Sequence, residues 1–174
     1  MTLKSLSLVL GGAASGKSHY AERLVTDSGL APVYIATAQP FDAEMAAKIA
    51  AHRTARGPGW RTVEAPLAPE TALAGAAAGE AVLLDCVTLW LSNLLLADAD
   101  LAAAEARLMA ALGACTAPVV VVSNEVGGGV VPDTPLGRRF RQVQGGLNQR
   151  LAARADLVVA VIAGLPLLLK GALP

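Results

Sequence analysis

The chain has 174 residues, enough for one domain with a sizeable core. Its 14 basic and 14 acidic residues cancel, which removes the usual electrostatic footprint of a nucleic-acid binder and leaves at most a local basic patch. Hydrophobic residues make up 54% of the chain but aromatics only 3%, so the core has to be built from Ala, Leu and Val. The two cysteines, Cys86 and Cys115, are too few for a zinc site or a disulfide framework. They read as buried free thiols of a cytosolic protein.

In chain order, LSLVL (Leu6 to Leu10) is the first apolar run. It leads into a glycine motif and not a cleavage site, so it is read as a strand and not a secretion signal. The motif, GGAASGKS, contains G-x-x-x-x-G-K-S, with Gly11, Gly16, Lys17 and Ser18 at the required positions. A strand before it and a helical pattern over Lys17 to Thr26 after it give the context of a phosphate-binding loop. The glycines let the backbone wrap close to phosphate oxygens, and the amides from Ala13 to Ser18 point at them, aided by the helix N-terminus. Lys17 can reach the β- and γ-phosphates, and the Ser18 hydroxyl can ligate Mg²⁺. His19 is read as facing solvent or neighbouring side chains.

VYIAT (Val33 to Thr37) is the second strand, with Thr37 and Gln39 at its carboxyl end. A helix is predicted over Asp42 to Thr54, with Asp42 as N-cap and Glu44 favouring the dipole in its first turn. Met45, Ile49 and His52 fall on one face. His52 therefore ends an apolar stripe and is followed by Arg53 and Arg56. From spacing alone this is either a partly buried helix-end histidine or a reactive one. RGPGW and EAPLAPE read as loops, and ALAGAAAGEA as an Ala-rich stretch too short for a linker.

AVLLD (Ala81 to Asp85) delivers Asp85 to the end of a buried strand. Asp85 is the candidate metal-site carboxylate, with an N-cap for the helix over Thr88 to Leu96 as the alternative. That helix carries Trp90 and several leucines, which predicts an exposed patch favouring self-association or, equally, a helix buried in the core. After a helix over Leu101 to Leu112, VVVVSN (Val119 to Asn124) is the fourth strand. SNEVGGG follows it and places Ser123, Asn124 and Glu125 either toward substrate or in a turn. The last helix, Arg138 to Ala155, opens with Arg138, Arg139 and Arg141, facing a substrate phosphate or an adjacent subunit. LVVAVIA (Leu157 to Ala163) is the fifth strand. The apolar stretch containing it, Leu157 to Leu169, is too short for a membrane span and is broken by Gly164 and Pro166.

The strands are nearly continuous in Val, Leu and Ile, as strands buried on both faces are. Alternation with helices implies an open, mostly parallel α/β sheet with right-handed crossovers. In such a sheet ligands bind outside the carboxyl ends of the strands, where the phosphate loop and Asp85 meet.

The ordered blocks GGAASGKS, YIATAQPFDAEMAAKIAAHR, WRTVEAP, LLDCVTLWLSNLL, VVSNEVGGGVVPDTPLGRRFR and GGLNQRLAARADLVVAVIAG closely resemble one family. It is the bifunctional adenosylcobinamide kinase / adenosylcobinamide-phosphate guanylyltransferase family of cobalamin biosynthesis, and the resemblance spans about Leu6 to Lys170. It implies a P-loop NTPase, RecA-like fold, a single domain over residues 1–174 and a trimer, with no nucleic acid and no membrane span. It implies phosphorylation of adenosylcobinamide by ATP or GTP, then transfer of GMP from GTP to adenosylcobinamide phosphate with release of pyrophosphate. By positional match, His52 is the residue of the GMP–histidine intermediate, and Lys17 acts with it. Gly11, Gly12, Ala13, Ala14, Ser15, Gly16, Lys17, Ser18, Thr37, Ala38, Gln39, Arg53, Thr54, Ala55, Arg56, Glu64 and Asp85 would contact the nucleotide, with Ser18 and Asp85 at Mg²⁺. A neutral imidazole is a competent nucleophile toward an α-phosphorus, and the arginines would neutralise charge on the phosphate oxygens. A simple P-loop kinase and a non-enzymatic nucleotide-binding module are the competing readings.

Overall fold

The computed structural model describes residues 2–173, Lys48 by its backbone alone. In chain order the elements are β1 (Leu6–Gly11), α1 (Lys17–Thr26), β2 (Ala31–Ala36), α2 (Ala43–Arg56), β3 (Arg61–Glu64), α3 (Pro69–Ala74), β4 (Glu80–Asp85), α4 (Val87–Leu96), α5 (Leu101–Ala114), β5 (Val119–Asn124), α6 (Pro135–Arg154), β6 (Leu157–Ile162) and β7 (Leu165–Lys170). The strands form one seven-stranded sheet in the order β3-β2-β4-β5-β1-β6-β7. All neighbouring pairs are parallel except β6 with β7, which form a hairpin at one edge.

The uninterrupted apolar runs are explained by burial on both faces. Leu8, Ile35, Leu84 and Val121 face a core shared with Leu73, Trp90, Leu94, Leu108 and Leu147 of the helices. Their chain neighbours Val9, Tyr34, Leu83 and Val122 face the opposite way, against Ala21, Leu24 and Val25 of α1. Leu84 is fully buried at the centre of the sheet, so truncation to Ala would cost about 3 kcal/mol.

Each strand read from the sequence is present, and α1 spans Lys17–Thr26 as expected. Three elements were not expected. β3 is a short, mostly exposed edge strand, and α3 is a six-residue helix with Pro at its start. β7 turns the second half of the long apolar stretch into the exposed arm of the hairpin. Among the described residues, no helix is long and apolar enough to cross a membrane. Of the two readings of the Trp90 helix, the exposed patch is corrected and the buried helix stands: Trp90 is 1% exposed and its indole N–H donates to the Leu67 carbonyl at 3.1 Å. A helix apolar on nearly every face lies inside, here between sheet and neighbouring helices. Cys86 is buried as read, while Cys115 is only half-buried.

Candidate active site at the carboxyl edge of the sheet

The phosphate loop leaves β1 at Gly11 and enters α1 at Lys17. Gly11 has no room for a side chain: a Cβ would collide with the Ser15 hydroxyl and lie 2.7 Å from the Val161 carbonyl. Gly16 sits at φ +92°, and a Cβ there would be 3.1 Å from Gly164 Cα. The turn of the β6–β7 hairpin buttresses the loop, with the Gly164 N–H donating to the Ser15 carbonyl at 2.8 Å. Lys17 folds over the loop and its ammonium donates to the Gly12 carbonyl at 3.1 Å. Gly12, Ala13, Ala14 and Gly16 are exposed, while Ser15, Lys17 and Ser18 are half-buried. Ser15 Oγ and, on the adjacent strand β5, Asn124 Oδ1 are buried without a hydrogen-bond partner among the described residues. Unsatisfied polar atoms at such an edge suit a polar ligand.

Asp85 ends β4 beside this loop. Its carboxylate accepts from the Ser18 hydroxyl and, at Oδ2, from the Tyr34 hydroxyl at 3.2 Å. Burial pushes its carboxyl above the usual carboxylate range, and the Ser18 and Tyr34 hydrogen bonds and the Lys17 and His52 charges pull it back. Asp85 is not the cap of α4; that position is Cys86, without a side-chain capping bond. Burial lifts the Cys86 thiol to about 11, which keeps it protonated and inert. Ser18 and Asp85 are hard oxygen donors lying together, the set that suits Mg²⁺ completed by phosphate oxygens and water.

Thr37 organises the site from within. Its hydroxyl donates to the Cys86 carbonyl at 2.7 Å and accepts from the Cys86 N–H at 2.9 Å. The Thr37 carbonyl accepts from Asn93 Nδ2 at 2.8 Å, so its side chain is committed to protein contacts. Ala38 and Gln39 follow, half-buried. Glu64 is exposed at the end of β3, in register with Ala36. Ser123 is buried in a network, donating to Asn148 Oδ1 at 2.6 Å and accepting from Gln144 Nε2 at 2.8 Å. Glu125 makes a turn, accepting from the Gly127 N–H at 2.5 Å.

α2 begins as the sequence predicts, with Asp42 Oδ1 accepting from the Met45 N–H at 2.7 Å. It runs on to Arg56, which puts His52 one turn from its end. Met45 and Ile49 are half-buried, but His52, Arg53, Thr54 and Ala55 are exposed. His52 does not finish the apolar stripe as a partly buried residue. Its charge acts on both Asp85 and Glu22, so the imidazole is within electrostatic reach of the phosphate-loop side of the edge.

Lys17, Ser18, Asp85, His52 and Arg56 thus share one electrostatic neighbourhood. Tyr34 and Glu22 also belong to it, and Trp60 packs against Tyr34. Burial raises the Glu22 carboxyl, Arg56 opposes this, and Asp85 adds to it. In the sequence Tyr34 is hidden in an apolar strand and Trp60 in a Gly-Pro loop. Glu22 lies four residues beyond Ser18, one turn along the same face of α1, and that spacing was the one available signal.

A family profile described as "Cobinamide kinase / cobinamide phosphate guanyltransferase" matches residues 7–169. The chain belongs to that family. It is 50% identical over 167 residues to the bifunctional adenosylcobalamin biosynthesis protein CobP of Pseudomonas aeruginosa, covering 94% of this chain and 96% of that protein. It is 44% identical to the corresponding protein CobU of Salmonella typhimurium, covering 94% and 98%. As a cobinamide kinase / guanyltransferase it is an enzyme of cobalamin biosynthesis. The fold is that of the P-loop, RecA-like ATPases. The flagellar accessory protein FlaH of Methanocaldococcus jannaschii superposes with a TM-score of 0.53 at 11% identity, covering 98% of this chain and 80% of that one. The ATPase domain of G40P superposes with a TM-score of 0.50 at 11% identity, covering 92% and 70%.

Proposed function

We propose that this edge carries out two successive transfers on one corrinoid. In the first, ATP or GTP phosphorylates the hydroxyl of adenosylcobinamide. Lys17 and the loop amides hold the β- and γ-phosphates, and Ser18 and Asp85 hold Mg²⁺, which supplies charge neutralisation. In the second, a nitrogen of neutral His52 attacks the α-phosphorus of GTP. An N–P bond forms, the bond to the β-phosphate oxygen breaks, and pyrophosphate leaves. A phosphate oxygen of adenosylcobinamide phosphate then attacks the same phosphorus. The N–P bond breaks, the imidazole is regenerated, and adenosyl-GDP-cobinamide is released.

The observation that carries this reading is that His52 is exposed to an incoming acceptor and within electrostatic reach of Asp85. A kinase alone needs no imidazole there. Arg53 and Arg56 on the same helix end offer charge for an α-phosphate, and Gln39 and Glu64 lie at the same strand edge for the nucleoside. Assembly as a homotrimer in the cytoplasm completes the proposal; sedimentation at micromolar concentration should give three chains, and a monomer would overturn that part.

The test is mass spectrometry of the intact protein after GTP and Mg²⁺ without corrinoid. A GMP adduct is expected on His52. As a phosphoramidate it should be lost in acid and persist in base, the reverse of a serine or threonine ester. His52→Ala should form no adduct and transfer no GMP, while phosphorylation of adenosylcobinamide continues. A wild-type adduct in His52→Ala, or an acid-stable one in the native chain, would leave a simple kinase.

A further inference from the structure

α2 is held to the body in an unusual way. It has a capped start at Asp42, and its half-buried residues are Met45, Ile49 and Arg56, among exposed neighbours. At its last residue the guanidinium carbon of Arg56 lies 3.4 Å from the centre of the Tyr34 ring. The same ring packs nearly perpendicular to Trp60, at 6.1 Å between centroids and 83° between planes. The Tyr34 hydroxyl donates to Asp85 Oδ2 at 3.2 Å. One buried side chain of β2, 8% exposed, therefore touches the helix of His52 with its face and the phosphate-side acid with its hydroxyl.

Arg56 and His52 are four residues apart, so they lie one above the other on the same side of α2. Whatever seats Arg56 also sets the direction of the imidazole. A planar guanidinium stacks on an aromatic ring, and the attraction strengthens as water is excluded. Arg56 Nε is buried without a hydrogen-bond partner among the described residues, so at that nitrogen none of them competes with the ring for the guanidinium. Glu22, on α1, is within electrostatic reach of both Arg56 and His52.

We propose that Tyr34 is a positioning residue for the nucleotidyl step. Its ring face seats Arg56 and so aims His52, while its hydroxyl holds Asp85 in place, putting the helix and the acid in one frame. This rests on the reading of His52 as the GMP acceptor. Tyr34 acts through Arg56 and Asp85, both of which it touches.

Two substitutions separate ring from hydroxyl. Tyr34→Phe keeps the face and removes the bond to Asp85; Tyr34→Leu removes both and keeps apolar bulk in the strand. The readouts are the rate of His52 adduct formation divided by the rate of corrinoid phosphorylation, and amide hydrogen exchange across residues 43–56. Tyr34→Leu should lower that ratio about tenfold and speed exchange in α2. Tyr34→Phe should hold the ratio within about threefold and leave α2 exchange unchanged. Arg56→Met, on the outer side of the ring and harmless to the strand, should speed α2 exchange as Tyr34→Leu does. Unchanged α2 exchange in Tyr34→Leu or Arg56→Met would overturn the proposal, as would an equal fall of the ratio in Tyr34→Leu and Tyr34→Phe. If the wild-type chain forms no adduct, the role of His52 fails, and the exchange data alone then decide whether Tyr34 seats the helix.

Discussion

The phosphate loop and α2 flank the same edge of the sheet, but one is enclosed and the other tethered. The loop grows out of a central strand, β1 between β5 and β6. Gly11 and Gly16 are wedged against Val161 and Gly164, and the β6–β7 turn is hydrogen-bonded to Ser15. α2 crosses beside β2, largely in solvent, with a cap at one end and a stacked arginine at the other. Binding a triphosphate needs a cradle already formed, because ordering it at the moment of binding would cost affinity. A nucleophile that must meet first a nucleotide and then a bulky acceptor needs access from both sides. The two halves of the site differ as those two tasks differ.

The comparison can be broken most directly at Lys17. With one phosphate loop for both transfers, Lys17→Ala should reduce both activities by roughly a hundredfold or more and abolish tight triphosphate binding. Near-normal GMP transfer in that variant would mean that the tethered half has a nucleotide site of its own. Next in size is Thr37→Val, which leaves the buried Cys86 N–H without its side-chain acceptor. A loss of about 2 kcal/mol in chemical denaturation is expected, with both activities falling together. A loss confined to GMP transfer would show that Thr37 serves α2 and not the enclosed half.

A pH series sharpens the enclosed half alone. Burial raises the Asp85 carboxyl, so the folded state binds its proton at higher pH than the unfolded chain does. Between those two values stability falls as pH rises, and the burden is fully present above the folded one. Asp85→Asn should therefore be more stable than the native chain at neutral pH, an advantage that vanishes in acid, while both activities are lost. Thermal unfolding at a series of pH values reads this directly. An advantage independent of pH would place its cause elsewhere. The smallest effect belongs to the tether: Asp42→Ala removes the cap of α2 and should cost about 1 kcal/mol. Hydrogen exchange should rise in the first turn of α2 and stay unchanged in residues 11–18.

The enclosed half was legible because its chemistry is local in sequence. A strand, GGAASGKS and a helix are consecutive, and Asp85 closes an apolar run whose end the parallel topology places nearby. The strands were legible because burial on both faces leaves no polar interruption. β3 and α3 were not, being too short for a period to develop, and the turn at Ala163 and Gly164 hid the hairpin inside a stretch that read as one run. Trp90 shows the limit of reading a patch from composition, since an apolar helix gives no sign of which faces its neighbours cover. The contacts around Tyr34 join β2, α2, the loop after it and β4, residues 34, 56, 60 and 85. No spacing rule connects those positions; only the sheet order does.

The scarcity of aromatics has an optical consequence. Of the two tryptophans, Trp90 is sealed in the core on the Leu67 carbonyl, while Trp60 is half-buried against Tyr34 at the foot of α2. The first should emit toward the blue and resist acrylamide; the second should emit further to the red and be quenched. One fluorophore is thus a fixed internal reference, and the other reports the local environment of the helix that carries His52. Titrating GTP into the native chain and into Trp60→Phe separates the two signals without attaching any label.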